Sequence, residues 1–357
     1  MTPALPPHPD DVAWPTEGWP VADPPDGWGL PEVAGAVFSA PDAGATYAVA
    51  AAHRGRRVFE RHAGALEHWD RPAEPVGPAT RLLSWSVAKS VLHLAVGVLV
   101  GEGLLDLHAP APVPGWASPG DPRRAITLEH LLTMRDGLDW VEAYDPAAGR
   151  SDVITMLFGG PGAKPQADVA AFAADRAAVA EPGARYLYSS GTTNIVSGIV
   201  ARTVGPGPAY EAWLRRVLFD PLGADPRLTF DDAGTWIASS YLYATSDDWL
   251  RIGELVLRDG VWEGRRLLPA GWVDHGRRLR SPDDGLAPFG HGAHWWADGD
   301  RLGTFAGEGY EGQWLLVVPG LDLVVARFGK APPGSGATLA WVLSLLDTVA
   351  GAAGLSR

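Results

Sequence analysis

Cysteine is absent from all 357 residues, so disulfides and thiolate chemistry are excluded and the redox compartment leaves no mark. Lysine is nearly as scarce: Lys89, Lys164 and Lys330 are the only three, and basic charge is carried almost wholly by arginine. The net charge of -13 and the lack of any Lys/Arg run argue against nucleic acid or an anionic membrane as the main partner. The longest apolar stretch, Val91 to Val100 with His93 inside it, is far too short to span a bilayer. The Met1-Thr-Pro-Ala-Leu-Pro-Pro-His-Pro start has neither a basic head nor an apolar core, which does not fit a secretory signal. The expectation is a soluble, cytoplasmic chain. No serine sits in Gly-x-Ser-x-Gly, and Gly-Lys-Ser/Thr never occurs, which removes the usual strand-to-helix nucleophile elbow and the phosphate loop.

What is present centres on one of the rare lysines. Lys89 follows Ser86 by three positions in Thr80-Arg-Leu-Leu-Ser-Trp-Ser-Val-Ala-Lys-Ser90. Lysine can lose its proton when desolvated, whereas arginine effectively cannot. On a helix, positions i and i+3 share a face, and the unpaired N–H groups and positive dipole of a helix start favour an oxyanion over an ammonium. A neutral Lys89 would then accept the proton of Ser86. An ordinary helix-start serine is the competing reading of this motif alone.

The pattern along the chain places that motif. Residues 1–34 read as an irregular Pro/Gly/Trp-rich arm wrapped on the body. Tyr47 to Ala52 and Arg57 to Arg61 flank a His53-Arg-Gly-Arg turn, the signal of a hairpin. Ser86 to about Glu102 reads as helix ended by Gly103, followed by a helix from Thr127 with Thr127 as N-cap. Further helices are expected at Ala167–Ala180, Thr193–Val204 and Ala209–Leu218. Gln313 to Val318 and Leu323 to Phe328 form a second hairpin, and Ala337–Ala350 a closing helix. An α/β (α+β) body from 35–80 and 235–357 would thus carry a mostly helical region, 81–234, as one catalytic unit, with a cleft between them as the ligand site.

Two further stretches bear on chemistry. Glu181-Pro-Gly-Ala-Arg-Tyr-Leu-Tyr-Ser-Ser-Gly-Thr-Thr-Asn194 presents Tyr188 just before a helix, where it could complete a proton relay with a neutral lysine. A tyrosine packed before a helix cap is the plainer alternative. Gly303-Thr-Phe-Ala-Gly-Glu-Gly-Tyr-Glu-Gly-Gln-Trp314 has the glycines that let a backbone approach a substrate and offer an N–H to an oxyanion; a bulge without chemistry is the alternative. His291-Gly-Ala-His294 has a metal-like spacing but no third ligand nearby. Asp247-Asp248 reads as a helix start and solvated face. Most of the 16 tryptophans read as core, with Trp85, Trp140, Trp295, Trp296 and Trp314 placed to wall a cleft.

Taken in order, Ser-x-x-Lys, Tyr-Ser-Ser and a Gly-rich strand near the C-terminus resemble the penicillin-recognising serine hydrolases. The resemblance is to the class C β-lactamase-like branch with its esterases, D-aminopeptidases and nylon-oligomer (6-aminohexanoate-dimer) hydrolases. It covers about residues 35–350, with support from Leu131 to Trp140, Tyr241 to Trp249 and Arg266 to Trp272. It implies a β-lactamase/transpeptidase-like fold, an antiparallel sheet drawn from both termini, and no cofactor or metal. Ser86 would be the acylated nucleophile, Lys89 its base and Tyr188 the proton shuttle. The N–H groups of Ser86 and Tyr310 would form the oxyanion hole. Trp85, Tyr144, Ser190, Gly307, Glu308 and Gly309 would line the substrate site, although Tyr144 reads equally as a loop aromatic in the core. Two departures redirect the substrate: Gly307-Glu308-Gly309 lacks the cation of Lys-Thr-Gly or His-x-Gly, and Ser190 stands where β-lactamases have Asn. The implied reaction is therefore cleavage of a small ester or amide, the alternatives being a D-amino-acid peptidase or carboxypeptidase, a β-lactamase, or a non-catalytic binding protein. The chain would act as a monomer or homodimer.

Overall fold

The computed structural model describes residues 3–68, 70–145, 149–159, 162–282 and 286–355; Met1 and Thr2, at the head of the expected arm, lie outside the described residues. Apolar runs at both ends of the chain build one eight-stranded antiparallel sheet. Its strands run in the order Ser281–Pro282, Gly290–His291, Trp296–Ala297, Phe305–Gly309, Gln313–Val318, Leu323–Lys330, Ala45–His53 and Arg56–His62. The N-terminal hairpin joins the C-terminal strands through Ala45–His53, which pairs with Leu323–Lys330.

Because strand side chains alternate between faces, the sheet is buried on both sides. Val49, Ala51, Leu316, Val318 and Val325 meet the helices Leu30–Ala36 and Ala337–Ala352 on one face. Ala48, Ala50, Ala52, Leu315, Val317 and Val324 meet Ser246–Leu257 and Val87–Gly101 on the other. Helix Val87–Gly101 is apolar almost all round and buried over Val87–Leu99, as a helix running through a core must be. Among the described residues, no helix is long and apolar enough to cross a membrane.

Between the sheet-forming segments the chain is mainly short helices: Leu128–Leu132, Asp152–Phe158, Val169–Ala174, Ser190–Val204 and Pro208–Leu214. Thr127 caps the first of these, its hydroxyl accepting from His130 N–H while His130 Nδ1 accepts from Thr127 N–H. The helix expected at Ala167–Ala180 is only Val169–Ala174. Residues 177–180 instead pair with 137–139, through Asp139 N–H to Ala177 O at 2.8 Å and Val179 N–H to Gly137 O at 2.9 Å; a long-range pairing has overridden local helix propensity. Asp247 and Asp248 do start a helix, but Asp248 is buried, closing a capping box with Thr245 and pairing with Arg251 at 3.1 Å.

The proline-rich arm has few N–H groups for its own carbonyls, and side chains of the body supply further donors. Arg277 donates to Pro3 O at 2.7 Å, Arg258 to Pro7 O at 3.0 Å, Arg251 to Pro15 O at 2.8 Å, and Trp262 Nε1 to Thr16 Oγ1 at 2.8 Å. Arg258 is the most deeply committed: it also pairs with Glu254 at 2.8 Å and Asp322 at 2.6 Å, and His8 meets the same Glu254 at 3.1 Å. Removing it leaves two carboxylates facing each other without their cation. Arg258→Ala is expected to lower unfolding free energy by about 3–5 kcal/mol in urea titrations; a loss within error of zero would show that the arm is not held by this cluster.

Candidate active site

The first site element is a strained turn. Trp85 adopts φ +46°, a conformation that costs a bulky L-residue energy and persists only where surroundings enforce it. Those surroundings are specific: Ser84 N–H is anchored on Leu242 O at 2.9 Å, and Trp85 Nε1 donates to Glu311 at 2.9 Å. The turn sets Ser86 at the N-cap of Val87–Gly101, so Ser86 and Lys89 lie one helical turn apart, as their spacing predicts.

Lys89 is buried, with 2% of its surface exposed. Its Nζ donates to Ser86 Oγ at 2.8 Å, Ser190 Oγ at 3.1 Å and Ser239 O at 2.8 Å. Among the described residues, these three acceptors are all uncharged oxygens. Burial is the largest influence on this amine and pushes its pKa down to about 8, against an opposing pull from the negative charges of Glu142 and Glu308. An amine of this kind can be neutral near physiological pH and accept the serine proton.

Ser190 arrives on helix Ser190–Val204, which Ser189 caps through Thr192 N–H at 2.9 Å. The residue following it must be glycine, because Trp140 lies against the helix there: a Cβ at Gly191 would sit 2.5 Å from the Trp140 ring. Tyr188 stands just ahead of this helix. Lys89 Nζ lies 5.0 Å from its ring centroid, and the ring stacks on Trp296 at 5.6 Å with the His291 edge at 6.1 Å.

The Gly-rich segment forms the opposite wall. Phe305–Gly309 is a strand, so Gly307 and Gly309 face the helix start while Glu308 alternates away from it, half-buried. A Cβ on Gly309 would meet Ser84 O at 2.4 Å and Ser86 N at 3.0 Å. The strand thus runs against the Ser84 to Ser86 turn with no room for a side chain. It delivers Tyr310 beside Trp85, the rings edge-on at 5.6 Å. Among the described residues neither the Ser86 N–H nor the Tyr310 N–H donates to a protein acceptor, leaving both free for a developing oxyanion. Tyr144 is stacked on Tyr310 at 4.7 Å, and burial with the nearby Glu142 charge holds its phenol protonated well above the ordinary range.

Ser86, Lys89, Tyr188, Ser190, Trp85, Tyr144 and the Gly307 to Tyr310 segment therefore converge. Neighbours on the same helix do not: Ser90 Oγ donates to His294 O at 2.7 Å, and His93 bonds His275 at 3.2 Å. His294 is held by Leu132 O and Thr193 rather than by His291. Sequence reasoning missed Glu142 and the Ser239 carbonyl. Glu142 lies two positions before Tyr144, and nothing in that local sequence marks it. A backbone acceptor such as Ser239 O leaves no side-chain signal at all.

The Beta-lactamase family model matches residues 34–346. The chain is 30% identical over 274 residues to the 6-aminohexanoate-dimer hydrolase of Paenarthrobacter ureafaciens, covering 71% of this chain and 67% of that one. Similar solved structures include a Bacillus anthracis protein described as a 6-aminohexanoate-dimer hydrolase, with TM-score 0.77, 18% identity and coverage of 99% of this chain and 91% of that one. A penicillin-binding-protein homologue from Caulobacter crescentus matches with TM-score 0.66, 18% identity and coverage of 91% and 99%. These structural matches establish the β-lactamase/transpeptidase-like fold expected from the motifs.

The contact between Gly309 and the Ser84 to Ser86 turn can be tested by adding one carbon. Gly309→Ala is expected to lower stability by about 1–3 kcal/mol through overpacking, read from urea unfolding. Wild-type stability in that variant would mean that strand and turn do not touch.

Proposed function

Because the chain belongs to the β-lactamase family and is a serine hydrolase, we propose that it cleaves a small ester or amide through an acyl-enzyme on Ser86. The carrying observation is the 2.8 Å contact between Ser86 Oγ and a buried lysine amine. Lys89 in its neutral form takes the Ser86 proton as Oγ bonds to the substrate carbonyl carbon. The resulting oxyanion is held by the N–H groups of Ser86 and Tyr310. Collapse of the tetrahedral species breaks the bond to the alkoxide or amine, which leaves with a proton delivered through the Lys89–Tyr188 pair. Water then attacks the acyl carbon, gives a proton to the same pair and restores Ser86.

Substrate preference follows from the walls. A lysine at position 307 has no room, since even a Cβ would approach Val87 Cγ1 to 2.8 Å and Ser90 Oγ to 3.1 Å. Without that cation a carboxylate-bearing β-lactam lacks its counter-charge at this position. Trp85, Tyr144 and Tyr310 offer instead an aromatic wall for a slender, uncharged acyl chain. The relative named for a 6-aminohexanoate dimer favours the amide reading, since a dimer of an amino acid is joined by an amide.

Labelling with a fluorophosphonate and turnover of a short-chain nitrophenyl ester test this reading. Ser86→Ala is expected to abolish both, and Lys89→Ala to reduce kcat roughly 10²–10⁴-fold. Since only the neutral amine accepts a proton, kcat/KM should rise with pH through a midpoint near 8. Labelling that survives Ser86→Ala would contradict the nucleophile, and nitrocefin turnover matching the ester would contradict the substrate reading. No turnover or labelling in the wild type would favour a binding protein.

A further inference from the structure

Glu142 receives four hydrogen bonds. Its Oε2 accepts from Trp140 Nε1 at 2.5 Å and Ser190 N–H at 2.9 Å; its Oε1 accepts from Tyr144 OH at 2.7 Å and Ser190 Oγ at 2.5 Å. We propose that Glu142 is a positioning residue which, by taking the hydroxyl hydrogen of Ser190, leaves Ser190 only an acceptor toward Lys89 and so turns the lone pair of the neutral amine onto Ser86. This rests on the assignment of Ser86 as nucleophile and Lys89 as base.

Counting hydrogens shows why the direction matters. A neutral lysine amine has two N–H bonds and one lone pair, and among the described residues Lys89 has three hydrogen-bond partners. Ser239 O is a carbonyl and can only accept. Ser190 could donate or accept, but its single hydrogen is committed to Glu142. Both N–H bonds of Lys89 are thereby assigned, to Ser239 O and Ser190 Oγ, and the lone pair falls on Ser86 O–H. Were Ser190 to donate to Lys89, it would occupy the lone pair that Ser86 needs. The same carboxylate holds the Tyr144 hydroxyl, whose ring stacks on Tyr310, so it braces the oxyanion wall as well.

Glu142→Gln reverses the direction without changing shape. Trp140 Nε1–H and Ser190 N–H can only donate, so the amide oxygen must keep the Oε2 place and the amide nitrogen must take that of Oε1. Ser190 then accepts from the amide and turns its own hydrogen to Lys89. The charged and titratable groups around Lys89 are Glu142, Glu308, Tyr188, His291 and His294. Of these, Glu142 favours the ammonium form most, so the variant should also move the acid limb of the pH profile to lower pH.

The test is the pH profile of kcat/KM for ester hydrolysis in wild type, Glu142→Gln, Ser190→Ala, Ser190→Thr and the Glu142→Gln/Ser190→Ala double variant, with Ser86→Ala as control. Glu142→Gln is expected to lower the plateau roughly tenfold or more and shift the acid limb downward. In the Ser190→Ala background the plateau loss should largely vanish while the limb shift remains. Ser190→Ala alone should lower the plateau and Ser190→Thr restore it, a result that holds the proposal to account even if Glu142→Gln does not fold. An unmoved limb, an equal plateau loss in both backgrounds, or wild-type rates in Ser190→Ala would each overturn it. Activity persisting in Ser86→Ala would instead overturn the reading on which it rests.

Discussion

A lysine amine buried against three uncharged oxygen atoms is the constraint on which the rest depends. Taking an ammonium out of water without a counter-ion is costly, and the cost is relieved when the group gives up its proton. The protein therefore holds at the centre of its core a group that favours neutrality, next to a hydroxyl that needs a base. Glu142 and Glu308 act from a distance in the opposite sense, which keeps the amine close to the point where it can both accept and return a proton. A base far below that point would accept too weakly, and one far above it would stay charged.

Three separate parts of the chain must be in place for this to hold. The αL turn at Trp85 presents Ser86, the close approach of Trp140 to Gly191 seats the helix that carries Ser190, and the loop at Ser239 supplies a carbonyl 150 residues from Lys89. The sheet then fixes the fourth side. Its strand Phe305–Gly309 lies so near Ser84 and Ser86 that only glycine fits at 309, and the backbone N–H of Tyr310 follows beside Ser86, the proposed nucleophile. In the proposed mechanism function and stability are linked here, because the contacts that would place the oxyanion donors also tie the sheet to the buried helix Val87–Gly101.

What the sequence made legible follows the range of the interactions. Ser86 and Lys89 are three residues apart on one helix, so their contact follows from helix geometry alone. The hairpins read at Tyr47 to Arg61 and Gln313 to Phe328 were legible from apolar runs flanking turn residues, and the capping of Thr127 from its residue type. Tyr188, Ser190 and Tyr310 are remote in sequence and were placed only by the order of three motifs matching a family. Glu142 was not readable, because a glutamate two positions before a tyrosine is unremarkable until four donors, two of them on the distant Ser190, converge on it. The helix expected at Ala167–Ala180 failed for a related reason: its last residues found a pairing partner at 137–139 that no local pattern announces.

The scarcity of lysine offers a direct measurement of the central claim. With ¹³Cε-labelled lysine the protein gives three signals, and Lys89→Ala identifies the one that matters. That signal should titrate with a midpoint near 8 and respond when a fluorophosphonate occupies Ser86. A midpoint at the ordinary lysine value of about 10.4, with no response to the modification of Ser86, would contradict the account.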